Sequence, residues 1–356
     1  MDKVKKNKEI IILLIMVFYL YLIFFISGCS LMDKKSLSGK LKVGLVAQSF
    51  NDLSFGQIAK KGLDEAATTY DIKTEFAELN GKTDDEDKIF RKFAENNNIT
   101  IAIGEEMKGE IQKASRERRD KNFTIVDEKI NEPNVKSITF KHQEGAFLMG
   151  IIAGNETKTN KVGFIGGMDN RVGNEFYAGY TAGVKISNEK ALEGLMGRSL
   201  VRFTENFLDE KKAYEKAIEL YDLGCDVIFQ AAGKSGLGVF KAAKEKGKKA
   251  IGVDTDQRVT APEYKDVIIS SMIKSTDKVM LNLCKEAREG SFKSGIRNVE
   301  ELGLADDMIN YAPSTKECVS KKTMDDVEKY KKMIIEEVFE VPSKLFEVVG
   351  FKTITQ

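Results

Sequence analysis

The sequence has little histidine and little cysteine, and both shortages exclude chemistry. Its one histidine, His142, is accompanied by neither a G-x-S-x-G elbow nor an H-E-x-x-H motif, so it supplies no triad and no zinc site. We interpret His142 as a structural or hinge residue, and the sequence predicts a protein that is not an enzyme and needs no cofactor. Three of the four cysteines, Cys225, Cys284 and Cys318, lack metal-ligand spacing and are predicted to be buried or half-buried thiols.

An excess of charge and a second long apolar run are also missing. The chain has 56 Lys and Arg against 55 Asp and Glu, so there is no strong basic field and nucleic acid is not an expected partner. After residue 30, no apolar run is long enough to span a bilayer. The 356 residues are sufficient for two globular domains.

The N-terminus has the pattern of an exported lipoprotein. Four lysines within the first eight residues precede an apolar run over residues 10–26, which leads into Ile26-Ser27-Gly28-Cys29. A basic segment, an apolar segment and small residues before a cut site describe a secretory signal, and these residues match the lipobox of bacterial lipoproteins. We therefore expect lipid on Cys29 and a body tethered at the extracytoplasmic face of the cell membrane. An uncleaved membrane anchor remains the alternative, because the run has about the minimum length of a bilayer span.

Apolar runs of strand length alternate with helix-period segments through the rest of the chain. Near-continuous apolar runs suit parallel strands buried on both faces, and their alternation with helices indicates βαβ units. The last predicted helix opens with a Thr323–Asp326 capping pair and has Val327, Tyr330, Ile334 and Val338 on one face. The tail at 344–356 is predicted to be a strand or extended. The predicted strands are 42–46, 72–77, 99–103, 123–127 and 137–140 in a first series, and 162–165, 200–203, 226–229, 250–253 and 267–271 in a second.

The two series of strands predict an α/β fold with two doubly wound lobes. Ligands of open α/β sheets bind beyond the carboxyl ends of the strands, and two such lobes facing each other would form a cleft. The turns that follow the predicted strands are therefore the place to look for a site.

The first such turn, at 47–57, places polar groups and phenylalanines just before a helix. Gln48 and Phe55 are candidates for ligand binding, as a hydrogen-bonding group and an aromatic wall. The same pattern fits a helix cap formed by Ser54 or Asp52 with the phenylalanine packed into its own lobe, and the sequence leaves both readings open.

Two glycine-rich turns resemble nucleotide motifs without matching them. The turn at 162–169 lacks the G-x-G-x-x-G spacing of a dinucleotide site. The turn at 230–240 contains Gly233-Lys234-Ser235, but residue 228 is isoleucine where a P-loop requires glycine. Gly233 remains a candidate for contact with a polar ligand through backbone N–H groups, and close helix–strand packing is the alternative.

An acidic turn follows at 251–257. Asp254 and Asp256 are suited either to accept hydrogen bonds from sugar hydroxyls or to cap the next segment. Lys274 follows the next strand, where it pairs with Asp254, contacts a ligand or is solvated; the sequence leaves these three alternatives open.

Long ordered motifs connect these turns to a known family. They are FLMGIIAG at 147–154, KTNKVGFIGGMD at 158–169, DVIF at 226–229, GLGVF at 236–240 and IGVDTDQ at 251–257. On these motifs, over roughly residues 41–312, the sequence resembles the basic membrane protein family, the purine-nucleoside-binding lipoproteins that feed ABC transporters.

The resemblance implies a type I periplasmic-binding-protein fold, in which two Rossmann-like lobes joined by three crossing segments close on a ligand. It also implies a nucleoside base held between Phe55 and Phe207, with Asp254 and Lys274 at the ribose hydroxyls. The chain would be a monomer that binds a nucleoside-like small molecule and delivers it to an ABC transporter permease. The predicted organisation is a signal peptide at 1–28, a lipidated tether at 29–40, lobe I at 41–140 plus 274–303, and lobe II at 141–273 plus 304–356.

Three positions depart from the family pattern at the base end. Gln48 stands where the family usually has aspartate, and Gly56 stands where it usually has asparagine, in a shorter turn. A further aspartate, expected after the third strand, aligns best with Gly109. Because base-edge groups are missing while the stacking and ribose groups remain, we hypothesise a changed or relaxed base preference, or lost binding. The alternative function is a regulatory or sensory lipoprotein of the same fold.

Overall fold

The computed structural model describes residues 40–80 and 85–353, which build two α/β lobes. The predicted signal peptide and Cys29 lie outside the described residues. Among the helices of the described ranges, none combines the length and the apolar character that crossing a membrane requires.

The first sheet lies in the N-terminal lobe. Its strands in the described ranges are β1 (Lys42–Ala47), β2 (Lys73–Glu78), β3 (Ile99–Ile103), β4 (Asn122–Val126), β5 (Val135–Phe140) and β11 (Val299–Leu302). They are all parallel, in the order β11-β5-β4-β3-β1-β2. The sequence ITIAI of β3 is apolar along its whole length because each of its side chains is buried, as expected for a parallel strand covered on both faces.

The second sheet has the same plan with one reversed edge. Its strands in the described ranges are β6 (Val162–Gly166), β7 (Val201–Phe203), β8 (Val227–Ala231), β9 (Lys249–Asp254), β10 (Ile268–Lys274) and β12 (Ile309–Tyr311). Their order is β12-β10-β9-β8-β6-β7, and only β12 runs antiparallel to its neighbour within this sheet. All ten predicted strands occur, β3 with the predicted ends and the other nine with shifted ends, whereas the edge strands β11 and β12 were not predicted.

Helices connect the strands of both sheets. They are α1 (Phe55–Thr69), α2 (Glu86–Asn96), α3 (Lys108–Glu117), α4 (His142–Glu156), α5 (Arg171–Ser187), α6 (Glu193–Met196), α7 (Glu210–Asp222), α8 (Gly236–Lys246), α9 (Gln257–Thr260), α10 (Thr276–Glu289), α11 (Lys321–Ile335) and α12 (Leu345–Gly350).

Helices α4 and α5 approach each other closely because glycines line their contact. A side-chain carbon at Gly150 would lie 2.2 Å from the carbonyl oxygen of Tyr180, and one at Gly183 would lie 2.1 Å from that of Phe147. Almost every residue of α4 is buried, which explains why its sequence is apolar on all sides. The close contact brings His142, the first residue of α4, against the N-terminal part of α5.

The described part of the chain crosses between the lobes at three places. It passes from β5 into α4, from β10 into α10, and from β11 into β12. Helix α10 packs on α1 in the first lobe, where a side-chain carbon at Gly62 would lie 2.4 Å from the carbonyl oxygen of Asp277. Each lobe is therefore assembled from separate parts of the sequence.

Two expectations for the C-terminal region are wrong. Helix α11 begins at Lys321, and the Ser320 hydroxyl accepts from the Thr323 N–H at 3.1 Å, so Ser320 caps the helix instead of the predicted Thr323–Asp326 pair. The helix also ends before residue 338. The described part of the tail forms α12 where a strand or extended segment was expected, and the Lys185 ammonium donates to the carbonyl oxygens of Val348 and Val349 near the C-terminus of this helix.

Candidate ligand-binding site

A cavity of about 880 Å³ lies between the two lobes at the carboxyl ends of their strands. The first lobe contributes the ends of β1, β3 and β4, and the second lobe contributes the ends of β6, β8, β9 and β10. This is where open α/β sheets bind ligands. The floor of the cavity, as we use the term, is formed by Phe55, Asp127, Asp254 and Lys274.

The cavity widens toward a second, outer space. We call the residues that line both spaces the mouth. They include Gln48, Glu105, Glu106, Phe207 and Leu208. The floor residues line only the inner cavity. The predicted residues Phe55 and Phe207 therefore approach the cavity from different lobes and at different depths.

Asp52 organises the turn before α1 and thereby places Phe55. Its carboxylate accepts from the N–H groups of Ser54 at 3.0 Å, Gly56 at 2.8 Å and Gln57 at 3.0 Å. Of the two capping residues that the sequence allowed, Ser54 and Asp52, it is therefore Asp52 whose side chain caps the start of α1. Burial raises the pKa of the Asp52 carboxyl despite these hydrogen bonds. Because the turn is fixed, the Phe55 ring at the first position of α1 lines the cavity.

The tight turn also explains the glycine at position 56. A side-chain carbon at Gly56 would lie 1.8 Å from the carbonyl oxygen of Ser49. The asparagine that the resemblance leads one to expect does not fit this backbone, so the shorter turn and the glycine belong together.

Lys274 covers one face of the Phe55 ring. Its ammonium lies 3.9 Å from the centre of that ring and 4.8 Å from the centre of Phe140, in cation–π geometry. The same ammonium donates to the Asp127 carboxylate, and both side chains are almost fully buried. Of the alternatives left open by the sequence, Lys274 thus contacts the cavity and forms its hydrogen-bonded pair with Asp127, not with Asp254.

Asp254 lies at the end of β9 with a left-handed backbone, φ +68°. It is buried, and its Oδ2 accepts from the hydroxyl of Ser54, which comes from the other lobe. Burial raises the pKa of the Asp254 carboxyl, while Lys274 opposes the rise. Asp256 is used differently, because its carboxylate accepts from the hydroxyl of Ser314 at 2.6 Å and from its N–H at 3.1 Å.

Backbone contacts place Phe207 and Gly233 together in the second lobe. The Phe207 carbonyl accepts from the Ser235 N–H at 3.0 Å, and the Phe207 ring lies over Gly167, where an added side-chain carbon would be 2.1 Å from the ring. Gly233 has φ +56° and lies beside Phe207. Both residues line the cavity, as does Gln48 from the first lobe.

The turn after β3 holds two acidic residues that the sequence analysis did not select. Gly109 is absent from the cavity lining, and no described atom lies within 4 Å of a side-chain carbon built on it. Glu105 and Glu106 line the mouth instead, and the enclosing protein raises the pKa of Glu106 to about 7. The signal in the sequence that could have identified them is a pair of adjacent glutamates directly after a predicted strand.

Residues 40–344 match the family model of PnrA-like ABC transporter substrate-binding proteins, called Bmp. The chain belongs to this family. Its members are substrate-binding proteins of ABC transporters, so the chain is of a transport family. A match over this much of the chain covers both lobes of the structure.

Named relatives agree with this assignment. The chain is 34% identical to a CD4+ T-cell-stimulating antigen of Listeria monocytogenes, over 89% of this chain and 93% of that protein. It is 29% identical to the ABC transporter nucleoside-binding protein BmpA of Lactococcus lactis, over 90% and 95%. It is 31% identical to basic membrane protein D of Borreliella burgdorferi, over 82% and 84%.

Solved structures confirm the fold. An ABC transporter solute-binding protein of Aeropyrum pernix superposes with a TM-score of 0.74 at 22% identity, covering 87% of this chain and 96% of that one. A second solute-binding protein, from Conexibacter woesei, gives 0.66 at 21% identity, covering 85% and 99%. The two parallel-sheet lobes are thus a type I periplasmic-binding-protein fold, as predicted.

Proposed function

We propose that this chain is the solute-binding component of an ABC importer and binds a nucleoside, preferably a purine nucleoside, between its lobes. One observation supports this most directly: a single cavity combines a phenylalanine from each lobe with a buried, partnered carboxylate and lysine. Such a cavity suits a ligand that is planar at one end and carries hydroxyl groups at the other. The relative named as a nucleoside-binding protein supports the same ligand class.

The chemistry of the floor suits the sugar. Asp254 is held at its position by Ser54, and it accepts hydrogen bonds from ribose hydroxyls in this proposal. A hydrogen bond to a charged group contributes about 1.5–3 kcal/mol, and nucleosides are therefore preferred over free bases. Lys274 donates from the same end of the cavity.

The aromatic residues suit the base. One face of the Phe55 ring is covered by the Lys274 ammonium, which leaves the other face for the ligand. The Phe207 ring lies farther toward the mouth. Stacking of a base on aromatic rings contributes about 1–3 kcal/mol and tolerates several bases, so the mouth residues are left to decide among them.

The chain is further proposed to act as a monomer that is lipid-anchored through Cys29, outside the cytoplasm, beside its permease. Support comes from the lipobox pattern of residues 26–29 and from relatives named basic membrane proteins. Labelled palmitate fed to producing cells is expected to enter the protein, and Cys29→Ala is expected to abolish the label. Labelling that persists in Cys29→Ala would contradict the assignment.

Calorimetric titration of the purified chain in detergent tests the binding function. We expect dissociation constants of about 1 μM or below for at least one of adenosine, guanosine and inosine, weaker binding of cytidine and uridine, and little binding of free bases or ribose. Tight binding of pyrimidine nucleosides alone would contradict the purine preference. A folded protein that binds no member of the panel would contradict the importer function and favour the regulatory or sensory alternative.

A further inference from the structure

Beneath the floor of the cleft, charged side chains from both lobes form a closed circuit of contacts. Asp127 of the first lobe binds the Lys274 ammonium through Oδ2, and its Oδ1 lies 3.3 Å from Nε2 of His142. Nδ1 of His142 lies 3.0 Å from Oε2 of Glu175 on α5, whose Oε1 accepts from Arg171 at 2.7 Å. The Arg171 guanidinium then returns to the carbonyl oxygen of Asp127.

His142 has a carboxylate at each of its two ring nitrogens, Asp127 at Nε2 and Glu175 at Nδ1. A neutral imidazole donates from one nitrogen only, so the other would present a lone pair to a carboxylate. The charged imidazolium donates from Nδ1 to Glu175 and places its positive charge 3.3 Å from Asp127 Oδ1. His142 is fully buried, and neither its Nε2 nor Asp127 Oδ1 forms a hydrogen bond within the described residues, so the contact between them is an ion pair.

The surroundings of His142 favour the charged form. Burial opposes the charge and so does Lys274, but Asp127 and Glu175 outweigh them and raise the pKa of His142. Burial is likewise outweighed at the two carboxylates: Lys274 and His142 hold the pKa of Asp127 well below its usual range, and His142 and Arg171 lower the pKa of Glu175. The imidazole also lies beside the rings of Phe140 and Phe176, with ring centres 6.0 and 4.8 Å away.

We propose that His142 is a positioning residue: by bridging Asp127 and Glu175 it holds the lobes closed and keeps the Lys274 ammonium at the floor of the cavity. The inference rests on the proposed nucleoside-binding function, whose affinity it regulates. Opening the lobes separates Asp127 from His142 and Lys274, and that separation is costly while the imidazole is charged. After loss of the proton, one carboxylate of the bridge faces a lone pair and closure loses this contribution.

The pH dependence follows from the directions of the pKa shifts. Because the pKa of His142 is raised, its contribution is complete below about pH 6.5 and is lost as pH rises through the raised value. Because the pKa values of Asp127 and Glu175 are lowered, their contributions persist to acidic pH and are lost only as pH falls through those lowered values. Affinity is therefore expected to be highest near pH 6 and to fall as pH rises through the raised pKa of His142.

The test compares the wild-type chain with His142→Gln, Glu175→Gln and Lys141→Gln in detergent. The control Lys141→Gln removes a positive charge one residue from His142 that pairs with Glu144, outside the circuit. Affinity for the nucleoside that the wild type binds is measured from pH 6 to 9. We expect His142→Gln to weaken binding about tenfold at pH 6 and to abolish the fall in affinity at higher pH, while Lys141→Gln keeps the wild-type affinity and the fall.

Glu175→Gln keeps the imidazole and removes one of its carboxylates, so the fall in affinity should begin at lower pH. If His142→Gln fails to fold, the pH at which the affinity of Glu175→Gln begins to fall tests the proposal by itself. Wild-type affinity and pH dependence in both variants would overturn the proposal. A wild type that binds no nucleoside would contradict the proposed function instead; the inter-lobe distance, followed by two spin labels over the same pH range, would then test whether His142 controls closure.

Discussion

The floor and the mouth of the cleft differ in how their polar groups are held. At the floor, Asp127, Asp254 and Lys274 are buried, and each has a hydrogen-bond partner that comes from the other lobe or from a different strand end. At the mouth, Glu106 lines the cavity with an exposed side chain. Buried charges must be partnered, whereas accessible ones are solvated, and this difference separates a preorganised region from an adaptable one.

The floor and the mouth also differ in how closely their residues follow the pattern of the family. At the floor, Phe55, Asp254 and Lys274 are the residues that the resemblance predicts, whereas the departures at Gln48 and in the turn after β3 lie at the mouth. In our proposal, the sugar is recognised by a preorganised floor and base preference is set at the mouth. The following predictions test this division.

The largest effect is expected for Asp254→Asn at the floor. Asparagine tolerates the left-handed backbone of this position, so the substitution removes the charge and preserves the turn. Nucleoside affinity should fall about 10- to 150-fold, the equivalent of roughly 1.5–3 kcal/mol. Calorimetry measures it, with Asp256→Asn as the matched control, because that carboxylate is engaged by Ser314. Equal losses in the two variants would contradict the assignment of the floor.

Phe55→Ala should weaken nucleoside binding by about 5- to 150-fold, because base stacking contributes roughly 1–3 kcal/mol. Phe50→Ala is the control in the same turn, since Phe50 packs edge-on against Phe76 with ring centres 5.6 Å apart and does not line the cavity. Fluorescence titration with an adenosine analogue measures the dissociation constant of each variant relative to the wild type. If Phe50→Ala lowers affinity as much as Phe55→Ala, the loss reflects the turn and not stacking.

Restoring the family residue at position 56 should be harmful. Gly56→Asn places a side chain against the Ser49 carbonyl and is expected to lower the free energy of unfolding by about 1–3 kcal/mol. Gly109→Asp meets no described atom and should change neither stability nor affinity. Urea unfolding followed by circular dichroism compares the two. Tighter nucleoside binding by Gly109→Asp would show that this turn reaches the base after all.

The smallest effect is expected from Glu106 at the mouth. Because its pKa is raised to about 7, its contribution to stability is complete below about pH 4.5 and is lost as pH rises through 7. The melting temperature of the wild type should therefore decline as pH rises from about 4.5 to 7, and Glu106→Gln should remove this decline. Thermal unfolding at a series of pH values measures it, and Glu105→Gln serves as the neighbouring control. An unchanged decline in Glu106→Gln would mean that another group titrates there.

Much of the fold could be read from local patterns in the sequence. The apolar run at 99–103 coincides with β3, and the alternation of such runs with amphipathic segments predicts two lobes with parallel sheets. These patterns depend on burial of nearby residues in the chain, which periodicity reveals. The strand-end turns containing Phe55 and Asp254 were identifiable for the same reason, because a strand's end marks the edge of its sheet.

Other features were decided only by tertiary structure. Asp127 appeared in the sequence as the last residue of an apolar strand, yet it pairs with Lys274, 147 positions away. His142 was interpreted as a structural or hinge residue, but its two carboxylate neighbours come from different lobes. The sequence by itself determined the elements and the strand ends where polar residues gather, since these follow from local propensity and burial. Which charges meet across the cleft depends on how the lobes pack, and that is a property of the folded chain alone.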